Sequence, residues 1–462
     1  MVNALRDHGY PYSQVTLLEE EEGPRRRRVR LQATPGTLAH FGQVEIVGVA
    51  SVNERVIRRQ LTFQPGDLFT RSAMRETQRT LYGLELFEFV NVESLEDAGR
   101  LSPEVPVRIT VAEGKHQKVT MGVGYGTEEQ ARARIRWDHT NFFGDARHAG
   151  VEAKWSSLDR GVRADFREPF FLARHFSLNF DGQAWQAREP VYSLDSLGGR
   201  MTLRHQANTQ NFWTVSLINE FQRSAVSNEA LLDFTVRDEL IALGLDPTDG
   251  ESRGTLSAVA FDISRNTTGN LLDARSGYAF NAHAEQAGKW LWGSFNYWSV
   301  TSEGRHYLTI GQRLVAANRL RIGTINELSN AGGGVPFYKR YFLGGSSSIR
   351  GWGRYEVGPI SGFGLPIGGR TMLEGSSEVR VPLTAKIGAV AFVDYGNVWS
   401  DAFDIDLGSL RYAVGPGLRY LTPIGPIRVD VGYQLNPIDN LRVNGAPEAR
   451  RWRLHVSVGQ AF

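Results

Sequence analysis

The sequence predicts a mainly β protein, a sixteen-stranded antiparallel transmembrane β-barrel preceded by a smaller α+β segment. Polar and apolar residues alternate with a period of two through most of residues 118–462, as in strands that face lipid on one side and a polar lumen on the other. The chain contains 50 glycines and 11% aromatic residues, a composition typical of curved sheets with aromatic girdles. Its apolar runs all fall short of the roughly 20 residues that a transmembrane helix needs.

Composition also excludes several classes of site. The formal net charge of the 462 residues is +2, from 52 basic and 50 acidic side chains, so no overall field favours nucleic acid. The chain has no cysteine, which excludes disulfides, thiolate metal sites and cysteine nucleophiles. Residues 1–10 lack the basic and then apolar pattern of an export signal. Since a barrel of this kind must be exported, we expect the sequence to be part of a longer chain.

The residues before the barrel show a mixed pattern that predicts the order β-α-α-β-β. Asn53 or Ser51 is a suitable N-cap for the first helix, and Gly83 is a suitable residue to end the second. Turn-rich residues at 96–100 separate the last two strands. The predicted elements are a strand at 43–47, helices at 51–59 and 71–82, and strands at 89–93 and 105–111.

Sixteen alternating segments follow, an even number as in bacterial barrels. Alternation alone also fits a soluble sandwich, so the number of segments and the aromatic residues near their ends favour the barrel. Trp290, Trp292, Tyr297 and Trp298 are expected in an interfacial girdle. The segments begin near 118, 131, 148, 160, 175, 196, 211, 253, 278, 296, 313, 372, 387, 411, 426 and 451.

A glycine-rich segment at 341–352 interrupts the strand pattern. Glycine permits tight reversals and close approaches, and a single guanidinium can donate several hydrogen bonds to carboxylates. Glu378 and Asp394 are the candidate partners, each within a strand-like run, and the phase of Glu378 directs it to the lumen. We expect Arg350 to be anchored there. The candidate loop residues are Gly344, Gly345, Ile349, Arg350, Gly351 and Trp352.

Two stretches carry a family resemblance. The phrase Phe-Gly-Gln-Val-Glu-Ile-Val-Gly at 41–48 and the run at 81–90 resemble a POTRA (polypeptide-transport-associated) domain, which we expect to span 38–115. Residues 1–37, a helix end followed by two strands around a charged turn, resemble the C-terminal part of a preceding POTRA domain. The barrel is expected at 116–462, with a long loop at about 324–371.

Together, the POTRA segment, the strands and the Ile-Arg-Gly-Trp motif resemble the BamA/TamA superfamily of outer-membrane assembly factors, and more closely its TamA type. Trp352 stands where phenylalanine or tyrosine is more usual. The resemblance implies that the loop folds into the barrel and that Arg350 meets Glu378 and Asp394. An ion pair with a purely structural role is the plainer interpretation.

The resemblance also implies a weak seam between the first and last barrel strands. Glycine in a strand weakens pairing and permits bending, although the same glycines would relieve crowding in any curved barrel. The final strand ends on Phe462, which resembles an outer-membrane assembly signal. The predicted seam glycines are Gly122, Gly124 and Gly126 on one edge and Gly459 on the other.

The function implied is insertion of other proteins into the outer membrane of a Gram-negative-type bacterium, with the POTRA segment in the periplasm. Implied partners are unfolded outer-membrane protein clients and outer-membrane lipids, with a periplasm-spanning TamB-like protein or assembly lipoproteins. No cofactor, metal, nucleic acid or catalytic residue is predicted. The alternatives are a two-partner-secretion-type polypeptide translocation pore and an outer-membrane enzyme. The sequence has no His-Glu-x-x-His, Gly-x-x-x-x-Gly-Lys or Gly-x-Ser-x-Gly motif that would favour an enzyme.

Overall fold

In the computed structural model, the chain forms two compact units. The first comprises residues 1–118 and 137–149, and the second comprises 119–136 and 150–462. Side chains of residues 20–28, 425 and 426 are not described. The structure describes residues 2–23, 26–95, 101–226, 245–246, 248–269, 274–311, 313–328, 334–362, 364, 366–422, 425–443 and 446–458.

The first unit contains two small sheets and three helices within its described residues. β1 and β2 pair antiparallel, and a second sheet has the order β3-β5-β4, with β3 parallel and β4 antiparallel to β5. The predicted β-α-α-β-β order is confirmed. Among the described helices, none has the length and apolar character required to cross a bilayer. The elements are α1 (Val2–Arg6), β1 (Gln14–Gly23), β2 (Arg26–Thr34), β3 (His40–Val47), α2 (Glu54–Arg58), α3 (Arg71–Tyr82), β4 (Phe87–Ser94) and β5 (Glu104–Glu113).

Local sequence explains how these helices begin, end and pack. The side chain of Asn53 accepts a hydrogen bond from the backbone N–H of Arg55, which caps α2. α3 ends before Gly83 and buries Met74 and Leu81, residues seven apart that share one helix face. Their neighbours in the core include Phe41, Ile57 and Ile109, so the helices cover one face of the three-stranded sheet.

Sixteen antiparallel strands of the described residues close into a barrel, in which sequence neighbours pair and the last strand lies beside the first. β21 (Arg442–Val443) and β22 (Ala446–Pro447) form a separate ribbon. The barrel strands are β6 (Gln117–Gly126), β7 (Gln130–Phe142), β8 (Arg147–Ser156), β9 (Asp159–Pro169), β10 (Phe176–Arg188), β11 (Tyr192–Gln206), β12 (Asn211–Val226), β13 (Glu251–Asn266), β14 (Gly277–Ala287), β15 (Tyr297–Ile310), β16 (Leu314–Glu327), β17 (Thr371–Pro382), β18 (Ile387–Trp399), β19 (Arg411–Thr422), β20 (Gly425–Gln434) and β23 (Trp452–Val458).

Exposure along the strands distinguishes this barrel from a soluble sandwich. In β12, Val215, Leu217 and Phe221 are exposed, whereas Thr214 and Ser216 are buried. An apolar outer face and a polar inner face characterise a membrane barrel. The predicted sixteen-stranded barrel is thus confirmed, and the largest offset in a strand start is at β11, which was expected near 196 and begins at Tyr192.

One prediction about the girdle is wrong. Tyr297 is buried and its hydroxyl donates to Glu285 at 2.6 Å, so it faces the lumen. Because consecutive strand residues point to opposite faces, Tyr297 and Trp298 cannot both face lipid. Trp290 and Trp292 are exposed in the short connection between β14 and β15.

A carboxylate at the end of β5 fastens the segment that follows β3. The side chain of Glu113 accepts hydrogen bonds from the backbone N–H groups of Ala50, Ser51 and Val52 at 2.7–2.9 Å, and lies 3.2 Å from Nε2 of His116. Burial by itself raises the pKa of Glu113, but these bonds and that from the Ser51 hydroxyl outweigh it and lower the pKa from 4.5 to about 2. The ionised form therefore stabilises this part of the unit.

We expect this contribution to depend on pH. Because the pKa is lower in the folded unit, the stabilisation is complete above about pH 4.5 and is lost as the pH falls toward about 2. The protection factors of the amides of residues 50–52 against hydrogen exchange, which are corrected for intrinsic rates, should fall over that range in the wild type. In Glu113→Gln these amides should exchange faster already at pH 6. Glu104→Gln, at the exposed opposite end of β5, is the matched control. Equal protection in Glu113→Gln and wild type at pH 6 would contradict this role.

Candidate functional site

The connection between β16 and β17, residues 328–370, is called here the arginine loop. Isolated bridges between Tyr341 and Gly369 and between Leu343 and Val357 fold it back on itself. Gly344 has a φ of +103°, and a Cβ there would lie 2.4 Å from the carbonyl oxygen of Gly353. This tight reversal therefore requires glycine at position 344.

The guanidinium of Arg350 meets both of the carboxylates that the sequence suggested. Nε and Nη2 donate to the two oxygens of Asp394 at 2.7 and 2.8 Å, and Nη1 donates to Oε1 of Glu378 at 2.8 Å. The backbone N–H of Arg350 also donates to Asp394, at 3.1 Å. Arg350 is 3% exposed and Asp394 is 0% exposed. The structure thus brings these three residues together in a buried, bidentate ion pair with a second carboxylate beside it.

Three further residues lie at the guanidinium that the sequence did not predict as its neighbours. Nη2 donates to the hydroxyl of Ser376 at 3.2 Å, the guanidinium carbon lies 3.4 Å from the ring centroid of Phe392, and Oδ1 of Asp430 is 3.8 Å from Nη1. All share the lumenal phase of their strands. An inward aromatic two residues before Asp394, and an acidic residue in the alternating run 428–433, were the available signals.

The excess negative charge around Arg350 is balanced by two more arginines. Nε of Arg380 donates to Glu378 at 2.8 Å, and Nη1 of Arg419 donates to Asp430 at 2.7 Å. Buried charges are tolerated when they are paired and hydrogen-bonded, and removing one partner of such a pair costs about 3–5 kcal/mol. The role of this cluster is therefore to fix the position of the loop, which it holds against β17, β18 and β20.

Close backbone approaches complete this anchor. A Cβ on Gly432 of β20 would lie 2.2 Å from the carbonyl oxygen of Arg350, and one on Gly351 would lie 2.8 Å from Cβ of Ala413. Nε2 of Gln434 donates to the carbonyl oxygen of Gly351 at 2.8 Å. Small residues on both the loop and the wall allow this contact. The glycine that follows Arg350 therefore has a steric reason.

Other side chains of the arginine loop bind different strands. Nζ of Lys339 donates to Oε1 of Glu285 on β14 at 2.7 Å. The guanidinium of Arg354 donates to both oxygens of Glu189, in the turn between β10 and β11, at 2.6 and 2.9 Å. The loop is thus fixed on several sides of the lumen.

Three of the seam glycines, Gly122, Gly124 and Gly126, lie on the lumenal face of β6, since Val123 and Tyr125 between them are exposed on the outer face. A Cβ on Gly124 would lie 2.6 Å from Nε of Arg132 and 3.0 Å from the carbonyl oxygen of Val458, whereas one on Gly122 would have no atom of the described residues within 4 Å. At Gly126 the closest atom would be the carbonyl oxygen of Val456, 3.8 Å away. A side chain would therefore be crowded at 124 and would not be crowded by described atoms at 122 or 126.

Within the described residues, β6 and β23 are joined by two Cα pairs, Gly126 with Ser457 and Tyr125 with Val458. The predicted seam residue Gly459 and the terminal Phe462 lie outside the described residues. In the part of the chain that the structure describes, no three residues of the types His, Cys, Asp and Glu are grouped to hold a metal ion.

Ile349 and Trp352 are both fully buried beside Arg350. Nε1 of Trp352 has no hydrogen-bond partner among the described residues, and an unsatisfied buried donor costs about 1–3 kcal/mol. We therefore expect Trp352→Phe to leave the thermal unfolding midpoint in detergent close to that of the wild type, because the loss of ring volume is offset by loss of the orphaned N–H. Trp352→Ala, which removes the ring, should cost about 3–5 kcal/mol. A midpoint in Trp352→Phe as low as that of Trp352→Ala would show that the N–H is satisfied.

Two family models match the chain. One described as "Omp85 superfamily domain" matches residues 141–462, and the POTRA model, described as "Surface antigen variable number repeat", matches residues 39–114. The "Outer membrane protein assembly factor BamA" of Nitratidesulfovibrio vulgaris is 24% identical over 429 residues, which are 92% of this chain and 51% of that protein. Its namesake from Neisseria meningitidis is 23% identical over 509 residues, which span 100% of this chain and 61% of that protein.

A crystal structure of BamA from Haemophilus ducreyi lacking POTRA domains 1–3 has a TM-score of 0.81 at 18% identity, covering 98% of this chain and 90% of that one. At this identity the likeness shows the fold alone. The chain spans 51% and 61% of the lengths of the two curated relatives. The resemblance to the BamA/TamA superfamily is confirmed, and the closer resemblance to its TamA type stays a prediction. Since the Omp85 match covers most of its residues, the chain belongs to the Omp85 superfamily and is a barrel protein of the outer membrane.

Proposed function

We propose that this chain is part of an assembly factor that inserts unfolded outer-membrane proteins, without a cofactor and without catalysing a chemical reaction. Two relatives carry the name of such a factor. The observation that carries the proposal is a closed barrel in which a loop is bound inside the lumen through Arg350 and also contacts the last strand through His455.

The seam would act by pairing with client strands. β23 pairs antiparallel with β20 on one side and with β6 on the other. Unpaired backbone groups on a strand edge are a template for another strand. Opening at β6 would expose such an edge to an unfolded chain, and the glycines on β6 lower the barrier to bending.

We assign residues 38–115 to a POTRA domain, 116–462 to the barrel and 1–37 to the C-terminal part of a preceding POTRA domain. The antiparallel pair of β1 and β2 has the same arrangement as β4 and β5, which supports the last assignment. β3 and β4 are the two edges of the three-stranded sheet. Either edge could accept a client strand in the periplasm.

A TamB-like partner and assembly lipoproteins remain proposals for the wider complex, as do contacts with outer-membrane lipids. The rival functions are a secretion pore and an enzyme. A pore predicts ion conductance without faster insertion of clients, and an enzyme predicts turnover of a substrate.

The first test compares wild type and Arg350→Ala in liposomes that receive an unfolded outer-membrane barrel. Wild type should accelerate insertion, and Arg350→Ala should fall to near the protein-free rate while its barrel stays folded, because the loop loses its bidentate anchor. Arg305→Ala is the matched control, since this exposed lumenal arginine binds Glu303 away from the loop. Full activity in Arg350→Ala would refute a functional role for the anchor, and conductance without insertion would favour the pore.

A second test locks the seam. The chain has no cysteine, so a disulfide between Tyr125→Cys and Val458→Cys, which are Cα partners across the seam, would be unique. Oxidation should abolish the acceleration of insertion and reduction should restore it. A pair at Val215 and Phe261, Cα partners on β12 and β13, should have no effect when oxidised. Undiminished insertion by the locked protein would argue against seam opening.

A further inference from the structure

One carboxylate lies between the arginine loop and the first barrel strand. Glu128 is in the turn between β6 and β7, and its Oε1 accepts a hydrogen bond from the backbone N–H of Ser346 at 2.6 Å. Gly345 has a φ of +106°, and a Cβ there would lie 2.9 Å from the same oxygen. Gly345, the second glycine of the pair at 344–345, thus allows the backbone to reach Glu128.

A histidine on the other side of the seam touches the same two elements. Nε2 of His455, on β23, lies 2.9 Å from the carbonyl oxygen of Arg350. A carbonyl only accepts, so Nε2 carries a proton. Nδ1 of the same ring lies 3.4 Å from Oε1 of Glu128, and His455 is 6% exposed. The ring therefore ties the last strand to the arginine loop and lies beside the turn after the first strand.

The loop is attached unequally to the two sides of the seam. On the side of the last strands it is bound through Arg350 to Asp394, through the Gly351 carbonyl to Gln434, and through Glu356, whose Oε1 accepts from Arg453 of β23 at 2.6 Å. On the side of β6, it contacts Glu128 beside the seam, and farther around the barrel Arg354 binds Glu189 in the turn between β10 and β11. A carboxylate that accepts a backbone N–H makes a strong charge-assisted bond, so Glu128 is the contact that ties the turn after β6 to the loop.

We propose that Glu128 is the latch of the seam. It holds the turn after β6 to the arginine loop, next to His455 of β23, which is hydrogen-bonded to the same loop. When the seam opens, the loop stays with the last strands and β6 leaves. This inference deepens the proposed function and rests on it for its biological meaning, whereas the latch itself is a property of the barrel that can be measured separately.

Hydrogen exchange of the Thr127 amide measures the latch, because this N–H donates to the carbonyl oxygen of Val456 across the seam at 3.0 Å. In the full chain in nanodiscs, and after correction for intrinsic rates, Glu128→Ala should raise the exchange rate about fivefold, the effect of losing one such bond. Glu128→Gln should give a smaller increase, since its amide oxygen still accepts from Ser346. The Arg350 amide, which donates to Asp394, should keep its wild-type rate because the loop stays with the last strands.

His455→Leu should also accelerate exchange at Thr127, and His455→Gln should restore part of the protection because it keeps a donor for the Arg350 carbonyl. Glu303→Gln, a lumenal carboxylate on β15 that binds Arg305, is the control and should change nothing. Wild-type exchange in Glu128→Ala, or equal acceleration in Glu303→Gln, would overturn the latch. Failure of the wild type to accelerate client insertion in liposomes would refute the proposed function and leave the exchange result standing.

Discussion

The burial of a single guanidinium is the constraint on which the interior of this barrel depends. Arg350 is removed from water, and an uncompensated charge there would cost several kcal/mol. Its donors are satisfied by Asp394 and Glu378, with Ser376 beside them. Because these partners come from β17 and β18, the loop can be seated only when both strands are in register. The loop and this part of the wall therefore define each other's positions.

Closure imposes the second constraint. A sheet closed into a barrel has no free edges, and sixteen strands pair in sequence order until the last meets the first. That joint is made by strands distant in sequence, and its first strand carries Gly122, Gly124 and Gly126 on the lumenal face. Side chains that could pack across the joint are absent at these positions. Contacts made by the arginine loop with Glu128 and His455 supply cohesion there instead.

Periodic features of this protein could be predicted from the sequence, whereas contacts set by closure could not. Alternation located the barrel strands to within four residues, as the start of β11 at Tyr192 shows, because each strand carries its own pattern. Arg350 and its carboxylates were suggested by phase and by family resemblance. His455 and Glu128 were not, since their proximity depends on the loop path and on the seam. The prediction for Tyr297 was wrong for a simpler reason, because Tyr297 and Trp298 are adjacent in one strand and point to opposite faces of the sheet.

The contacts of the arginine loop differ in how deeply they are buried, and this difference decides which contacts are less costly to break. Asp394 is 0% exposed, whereas the side chain of Glu128 is 15% exposed. Water that reaches a carboxylate can replace a lost hydrogen bond, so the cost of breaking a contact falls as exposure rises. Water does not reach the bidentate pair of Arg350 and Asp394, and both of its hydrogen bonds must break for the two side chains to separate. Among the contacts that the loop makes beside the seam, the one with Glu128 is therefore less costly to break than the one with Asp394, which is the order of release that the proposed latch requires.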